Sequence, residues 1–166
     1  MAGALAACAS NPETREARRH RAAQLAMAVA QLYARTPAEE ARTFSHVAVE
    51  TCADLRQQYR IQLAHNYHNV LVYWGLKERG YCWHWQVDLN AALANGAHPD
   101  LEIHKIVASP GSMWHEHHAL SVTAPGAPWN DGLVLDPWRE EGILWFGPVK
   151  TDRFPWQEEA QLESIP

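Results

Sequence analysis

Long apolar runs are missing from this 166-residue chain; none approaches the roughly 18 residues that a membrane-spanning helix requires. Cysteine is scarce. Only Cys8, Cys52 and Cys82 occur, and no CxxC pair is among them, which argues against a zinc ribbon or a thioredoxin-like redox site. Positive charge is also short: 14 Lys and Arg against 19 Asp and Glu leave a net charge of −5 at pH 7. A general nucleic-acid binder needs a basic surface, so the balance argues against that class. Internal repeats and low-complexity tracts are absent as well. What the chain has in quantity is aromatic and imidazole side chains, 8 Trp and 10 His, most of them after residue 60. With 47% hydrophobic and 20% charged residues the composition is that of a folded domain able to bury a core. Its chemistry is expected in the second half.

At the start, Leu5-Ala6-Ala7-Cys8 resembles the lipobox of a bacterial lipoprotein, with residues 1–10 as a truncated signal and lipobox. That resemblance implies a lipid anchor on Cys8 and a membrane-tethered place in the cell envelope; without such processing the chain is expected in the cytoplasm. Two thiols then remain, and in an oxidising envelope Cys52 and Cys82 are either free or joined.

Residues 11–60 read as two helices. Leu25, Val29 and Leu32 recur beside Ala22 and Ala26 at helical spacing. Thr36-Pro37 interrupts this stripe, with Thr36 the expected cap, Pro37 the first helical residue, and Glu39 placed as in a capping box. In the second helix Phe44, Val47, Ala48, Thr51, Cys52, Leu55 and Tyr59 share a face, which makes Cys52 a core residue. A third helix is expected over residues 67–79, with Val70, Leu71 and Trp74 on one side and Gly80 as its stop. A fourth begins at Cys82, burying Cys82, Trp85, Gln86, Leu89 and Leu93, and stops at Gly96. Beyond His98-Pro99 the period changes. Segments 101–106, 115–123, 133–136 and 143–146 read as four strands punctuated by Gly, Pro and Asn-Asp-Gly turns. Helices first and strands afterwards give an α+β fold with a small antiparallel sheet. Residues 61–156 form the expected core of one compact domain, and 157–166 a peripheral tail.

Three residues in order carry the chemistry. Cys82 opens a helix, where the helix dipole favours thiolate. His118 heads a strand, and Asp136 ends the next one. An imidazole can take the thiol proton and return it to a leaving group, while a carboxylate on its other nitrogen fixes tautomer and orientation. His117 stays open as the base, because a shift of one residue swaps the two sheet faces; His118 is favoured since Leu120 and Val122 share its face. The backbone N–H of Cys82 is the expected oxyanion donor.

The motifs Gly80-Tyr81-Cys82-Trp83, His118-Ala119-Leu120-Ser121-Val122 and Leu133-Val134-Leu135-Asp136-Pro137 resemble those of the transglutaminase-like branch of the papain-like cysteine enzymes. They follow that family's order, G-x-C at a helix start, H-x-x-x-V on a strand and L-D-P at a strand end. The likeness covers residues 65–150. Where the family often has Trp two residues after its histidine, Leu120 stands here, and nothing resembles the calcium-binding surroundings of the large animal enzymes. The resemblance implies thiol acyl chemistry on the amide bond of a peptide, protein or cell-envelope substrate, by a Cys82–His118–Asp136 triad without a cofactor. Hydrolysis results if water accepts the acyl group, transfer if an amine does. Trp83 and Trp138, beside the nucleophile and the acid, are expected to line the substrate cleft.

Two rival readings remain at this level. The same fold could serve as a non-catalytic envelope binding module, with Cys82 buried or bridged. Alternatively, His115 and His117 on one strand face, with His104 as a third ligand, could hold a zinc ion for a hydrolase. Arg139 is expected either at a surface ion pair or against a substrate carboxylate. Oligomeric state is not encoded in any of these signals.

Overall fold

In the computed structural model, residues 11–32, 36–96, 98–112 and 115–162 are described; the expected lipidation site Cys8 lies outside them. Four principal helices precede a sheet, so the chain is α+β. They are α1 (Arg15–Leu32), α2 (Ala38–Gln58), α3 (His65–Tyr73) and α4 (Cys82–Ala94). The strands are β1 (Glu102–Ala108), β2 (His117–Thr123), β3 (Leu133–Asp136), β4 (Trp145–Pro148) and β5 (Trp156–Glu158), followed by the short α5 (Glu159–Leu162). They form one antiparallel sheet in the order β4-β3-β2-β1-β5.

Apolar spacing explains the helical layer. Leu25 and Val29 of α1, Phe44, Ala48 and Cys52 of α2, and Leu89 and Leu93 of α4 meet Leu120, Val122, Leu133 and Leu135 of the sheet in one buried cluster. The opposite sheet face carries a second cluster, in which Ile106, Ala108, Ala119 and Val134 pack with Val149 and Trp156. Two-residue periodicity therefore runs through β2 and β3: Leu120 and Leu135 face the helices, and Ala119 and Val134 face away. Both faces of the central strands are covered, which is why β2 is buried almost throughout. Among the described residues no helix is long and apolar enough to cross a membrane.

Several boundaries differ from the sequence reading. Pro37, rather than Thr36, caps α2, and the Thr36 hydroxyl is buried without a partner. Helix α3 ends at Tyr73, well before Gly80, because Gly75 adopts φ +72° and the chain turns there, with Leu76 N–H donating to Leu71 O at 2.9 Å. Only His68 of α3 is buried, and Val70 and Trp74, expected on one side of this helix, are exposed. The strand expected from residue 115 begins at His117. A fifth strand, β5, pairs with β1 through Gln157 and Glu158, so the segment expected to be a peripheral tail starts inside the sheet.

Candidate active site

The turn that presents Cys82 is built by its own flanking residues. Gly80 has φ +137°, and a Cβ there would collide with the His68 ring. The His68 Nε2–H donates to Arg79 O at 2.9 Å. At the third position of α4, His84 Nδ1 accepts hydrogen bonds from the backbone N–H groups of Gly80 and Tyr81, at 3.1 and 3.2 Å. This is the capping-box role usually filled by Glu or Gln. One residue on, Trp85 Nε1–H donates to Gly80 O at 3.1 Å. Burial holds both His68 and His84 below the ordinary imidazole pKa, which keeps His84 Nδ1 available as an acceptor. Cys82 is thus delivered on a clamped helix start, and its S–H approaches Glu116 O at 3.9 Å, just before β2.

The imidazole that meets Asp136 is His117. His117 Nε2–H donates to Asp136 Oδ2 at 2.7 Å, with both side chains almost fully buried. His118, the favoured partner on sequence grounds, points to the other face: its Nδ1 lies 2.8 Å from Glu159 Oε1 and its Nε2 3.0 Å from Glu116 Oε1. Strand parity is the cause. Ser121 lies opposite Val134 and Leu120 opposite Leu135, so Asp136, even-numbered like Val134, shares a face with the odd residues of β2. Burial alone would lower the His118 pKa, but its bonds to Glu159 and Glu116 hold it above the ordinary value.

The His117–Asp136 pair continues into a buried network. Arg139 donates to both oxygens of Asp136, from Nε at 3.0 Å and from its backbone N–H at 3.1 Å. The Arg139 guanidinium forks onto Asp152 at 3.1 and 2.8 Å and lies 3.6 Å from the centre of the Trp145 ring. Burial opposes ionisation of Asp152, yet hydrogen bonds from Arg139 and from Trp156 Nε1, at 2.8 Å, hold its pKa below the ordinary value. Arg139 is therefore neither a surface ion pair nor a free clamp for substrate; it fixes the acid. Around the ring of His117, Trp138, Phe154 and Trp156 lie with centroids 4.8, 4.7 and 5.4 Å away. Of the two expected cleft tryptophans, Trp138 covers His117 and the ring of His65, whereas Trp83 is about half exposed beside Cys82.

With Nε2–H donated to Asp136, the ring's other nitrogen, Nδ1 of His117, is buried without a hydrogen-bond partner, the Cys82 sulfur included. No family model, curated protein or solved structure matches the chain. The site's own geometry therefore carries its reading. Cys52 and Cys82 are both free thiols, so no bridge joins them. Burial pushes the Cys82 thiol up to about 11, and Asp136 adds to the rise, against backbone hydrogen bonds from His118, Trp83 and Cys82 itself. The proposed zinc ligands are dispersed: His117 is bound to Asp136, His115 is in the turn before β2 against Ser112, and His104 sits between Glu158 and Thr123. Sequence reasoning missed Arg139 as the support of the acid, together with Asp152. No motif signals a network of this kind, because Arg139 from the loop after β3 and Asp152 from the segment between β4 and β5 meet only in the folded chain.

Proposed function

We propose that this protein is a cysteine-dependent hydrolase or acyltransferase acting on an amide bond, on a transglutaminase-like version of the papain-like fold. Cys82 is the nucleophile, His117 the general base and then acid, and Asp136 the group that orients it. The reading rests on one observation above the others. His117 turns its protonated nitrogen onto a buried carboxylate and leaves Nδ1 as an unpartnered base, one residue after the carbonyl that Cys82 approaches.

In the step this assigns, the Cys82 S–H proton passes to His117 Nδ1 as sulfur bonds to the substrate carbonyl carbon. The developing oxyanion is held by the backbone N–H of Cys82 at the start of α4. Collapse of the tetrahedral species breaks the C–N bond, and the leaving amine takes the proton from His117. Water or an acceptor amine, deprotonated by the same nitrogen, then opens the thioester. Peptide, protein or cell-envelope amides are the substrate class that the motif resemblance implies, and Cys8 would tether the enzyme to the envelope membrane. A second reading, a non-catalytic binding module on the same fold, is favoured by the lack of a hydrogen bond between the Cys82 sulfur and His117 Nδ1, together with the burial that pushes the thiol up.

Alkylation by iodoacetamide, followed site by site by peptide mass spectrometry, separates the two. With His117 as an internal proton acceptor, Cys82 reacts near pH 7, and His117→Ala slows that reaction at least tenfold, leaving only the rise toward about pH 11. His118→Ala, which removes an imidazole that faces Glu116 and Glu159, leaves the neutral-pH rate within a few-fold. A wild-type rate that is negligible near pH 7 and indifferent to His117→Ala would establish the binding module instead.

A further inference from the structure

Among the described residues, the strongly exposed large apolar side chains gather, Met27 apart, between residues 67 and 87. Helix α3 buries only His68 and shows Tyr67, Val70 and its last residue Tyr73 to solvent; the turn after it exposes Trp74 and Leu76, so that Tyr73, Trp74 and Leu76 are exposed by 79, 68 and 66%. Exposure of that degree describes a protruding tip rather than a groove. A protein partner, or a second copy of this chain, would have to offer a fitted hollow to cover it, whereas a fluid lipid surface needs no complementary shape. The residue types agree with lipid: Tyr and Trp favour the zone between headgroups and acyl chains. The charges at the tip agree as well. Lys77 follows Leu76 directly, and its Nζ donates to the backbone O of the exposed residue Arg60 at 3.4 Å, so a second basic residue adjoins it along the chain's return. Of the other charged groups there, Arg79 is engaged by Asp88 at 2.7 Å, and Glu78 is the one remaining acid on the segment.

We infer that the Tyr73-Trp74-Gly75-Leu76-Lys77 tip docks on an anionic lipid surface, its aromatic and aliphatic side chains entering the interface while Lys77 and Arg60 meet the headgroups. The tip leads along the chain to Gly80 and Cys82, so docking would bring the Cys82 turn to the membrane. This surface acts independently of any lipid on Cys8 and of any chemistry at Cys82.

The test uses the full chain carrying Cys8→Ser, co-sedimented with vesicles of phosphatidylcholine alone or of phosphatidylcholine with phosphatidylglycerol. The protein is expected to sediment with the anionic vesicles and to be released by added salt. Lys77→Gln should weaken that binding about fivefold and leave the weak binding to neutral vesicles unchanged. Trp74→Ala with Leu76→Ala, at positions that bear no part of the core, should weaken it at least tenfold with an unaltered far-ultraviolet circular dichroism spectrum. Cys82→Ser should sediment like its parent, which separates this surface from the catalytic reading. The inference is overturned if the protein stays in the supernatant with anionic vesicles, or if the double variant sediments equally well. It is also overturned if sedimentation equilibrium finds a stable dimer that the same double variant disperses, since the face would then belong to a second copy.

Discussion

A thiol that burial pushes up to about 11 is a poor nucleophile unless a neighbour takes its proton. The same shift also makes Cys82 a recorder of folding. Its pKa rises from an ordinary 9.0 to about 11 in the native state, so the native protein binds this proton more tightly than the unfolded chain does. The stability that results is intact below pH 9 and drains away between pH 9 and about 11. Cys52, fully buried, shifts in the same direction. Urea midpoints measured across that range should therefore fall with pH, and Cys82→Ala should make the fall shallower without abolishing it. An unchanged slope would mean that the sulfur is as solvated in the folded protein as in the unfolded one. Beside it, the choice between His117 and His118 was decided by parity, and the signal was already in the sequence. If Leu120 and Val122 face the same core as Leu133 and Leu135, then Asp136 faces away and can meet only an odd-numbered residue of β2. Assigning His118 to the apolar face and also to Asp136 required two incompatible faces of one sheet.

At the scale of elements, α4 is held at its start by imidazole and indole rather than by the acidic or hydroxyl side chains that usually do this work. That choice carries an acid sensitivity. His84 accepts two backbone N–H bonds at Nδ1, and burial, reinforced by Arg79, holds its pKa below 6.5. Below pH 6.5 the unfolded chain takes up a proton that folded His84 resists, so stability present above that pH is lost as the pH falls toward the depressed native value. Burial moves His68 and His98 the same way, while His118 opposes them. His84→Gln, which keeps an acceptor and removes the titration, should flatten the acid limb of thermal stability below pH 6.5 and lower the plateau by no more than about 1 kcal/mol. An acid limb as steep as in the parent would show that the clamp is elsewhere. Helix α3 is the element least legible in the sequence. Its apolar spacing is that of a packed helix, yet the chain turns at Gly75 and leaves Val70 and Trp74 outside. Periodicity reports that a helix has an apolar side, not which partner covers it.

For the whole molecule, the N-terminal helices are part of the same core as the sheet. Leu25 and Val29 of α1 are fully buried with Phe44, Leu89 and Leu120, and Arg21 reaches across to donate to Leu144 O at 3.2 Å. Leu25→Ala should cost about 3 kcal/mol, read as a shift of the urea midpoint. Loss of helix by far-ultraviolet circular dichroism should coincide with the change in Trp fluorescence, because a shared core unfolds as one unit. If the fluorescence transition stayed in place while helix melted early, α1 and α2 would be a separate unit. On the opposite face, aromatic rings pack around His117 and the Arg139–Asp152 fork braces Asp136, so the His117–Asp136 pair is enclosed on the side of the sheet away from the helices.

Spacing along the chain was enough for the order of the four principal helices and the first four strands, the apolar stripes of α1, α2 and α4, and the placement of Cys82 at a helix start and of Asp136 at a strand end. Each is a local property, set by spacing along the chain and by the residues that flank a turn. Tertiary structure alone decided that Arg139 and Asp152 brace Asp136, that Gln157 and Glu158 complete the sheet, and that the α3 tip stands in solvent. These depend on strand register and on what a loop or a distant strand packs against, and such pairings of remote residues leave no periodic trace in the chain.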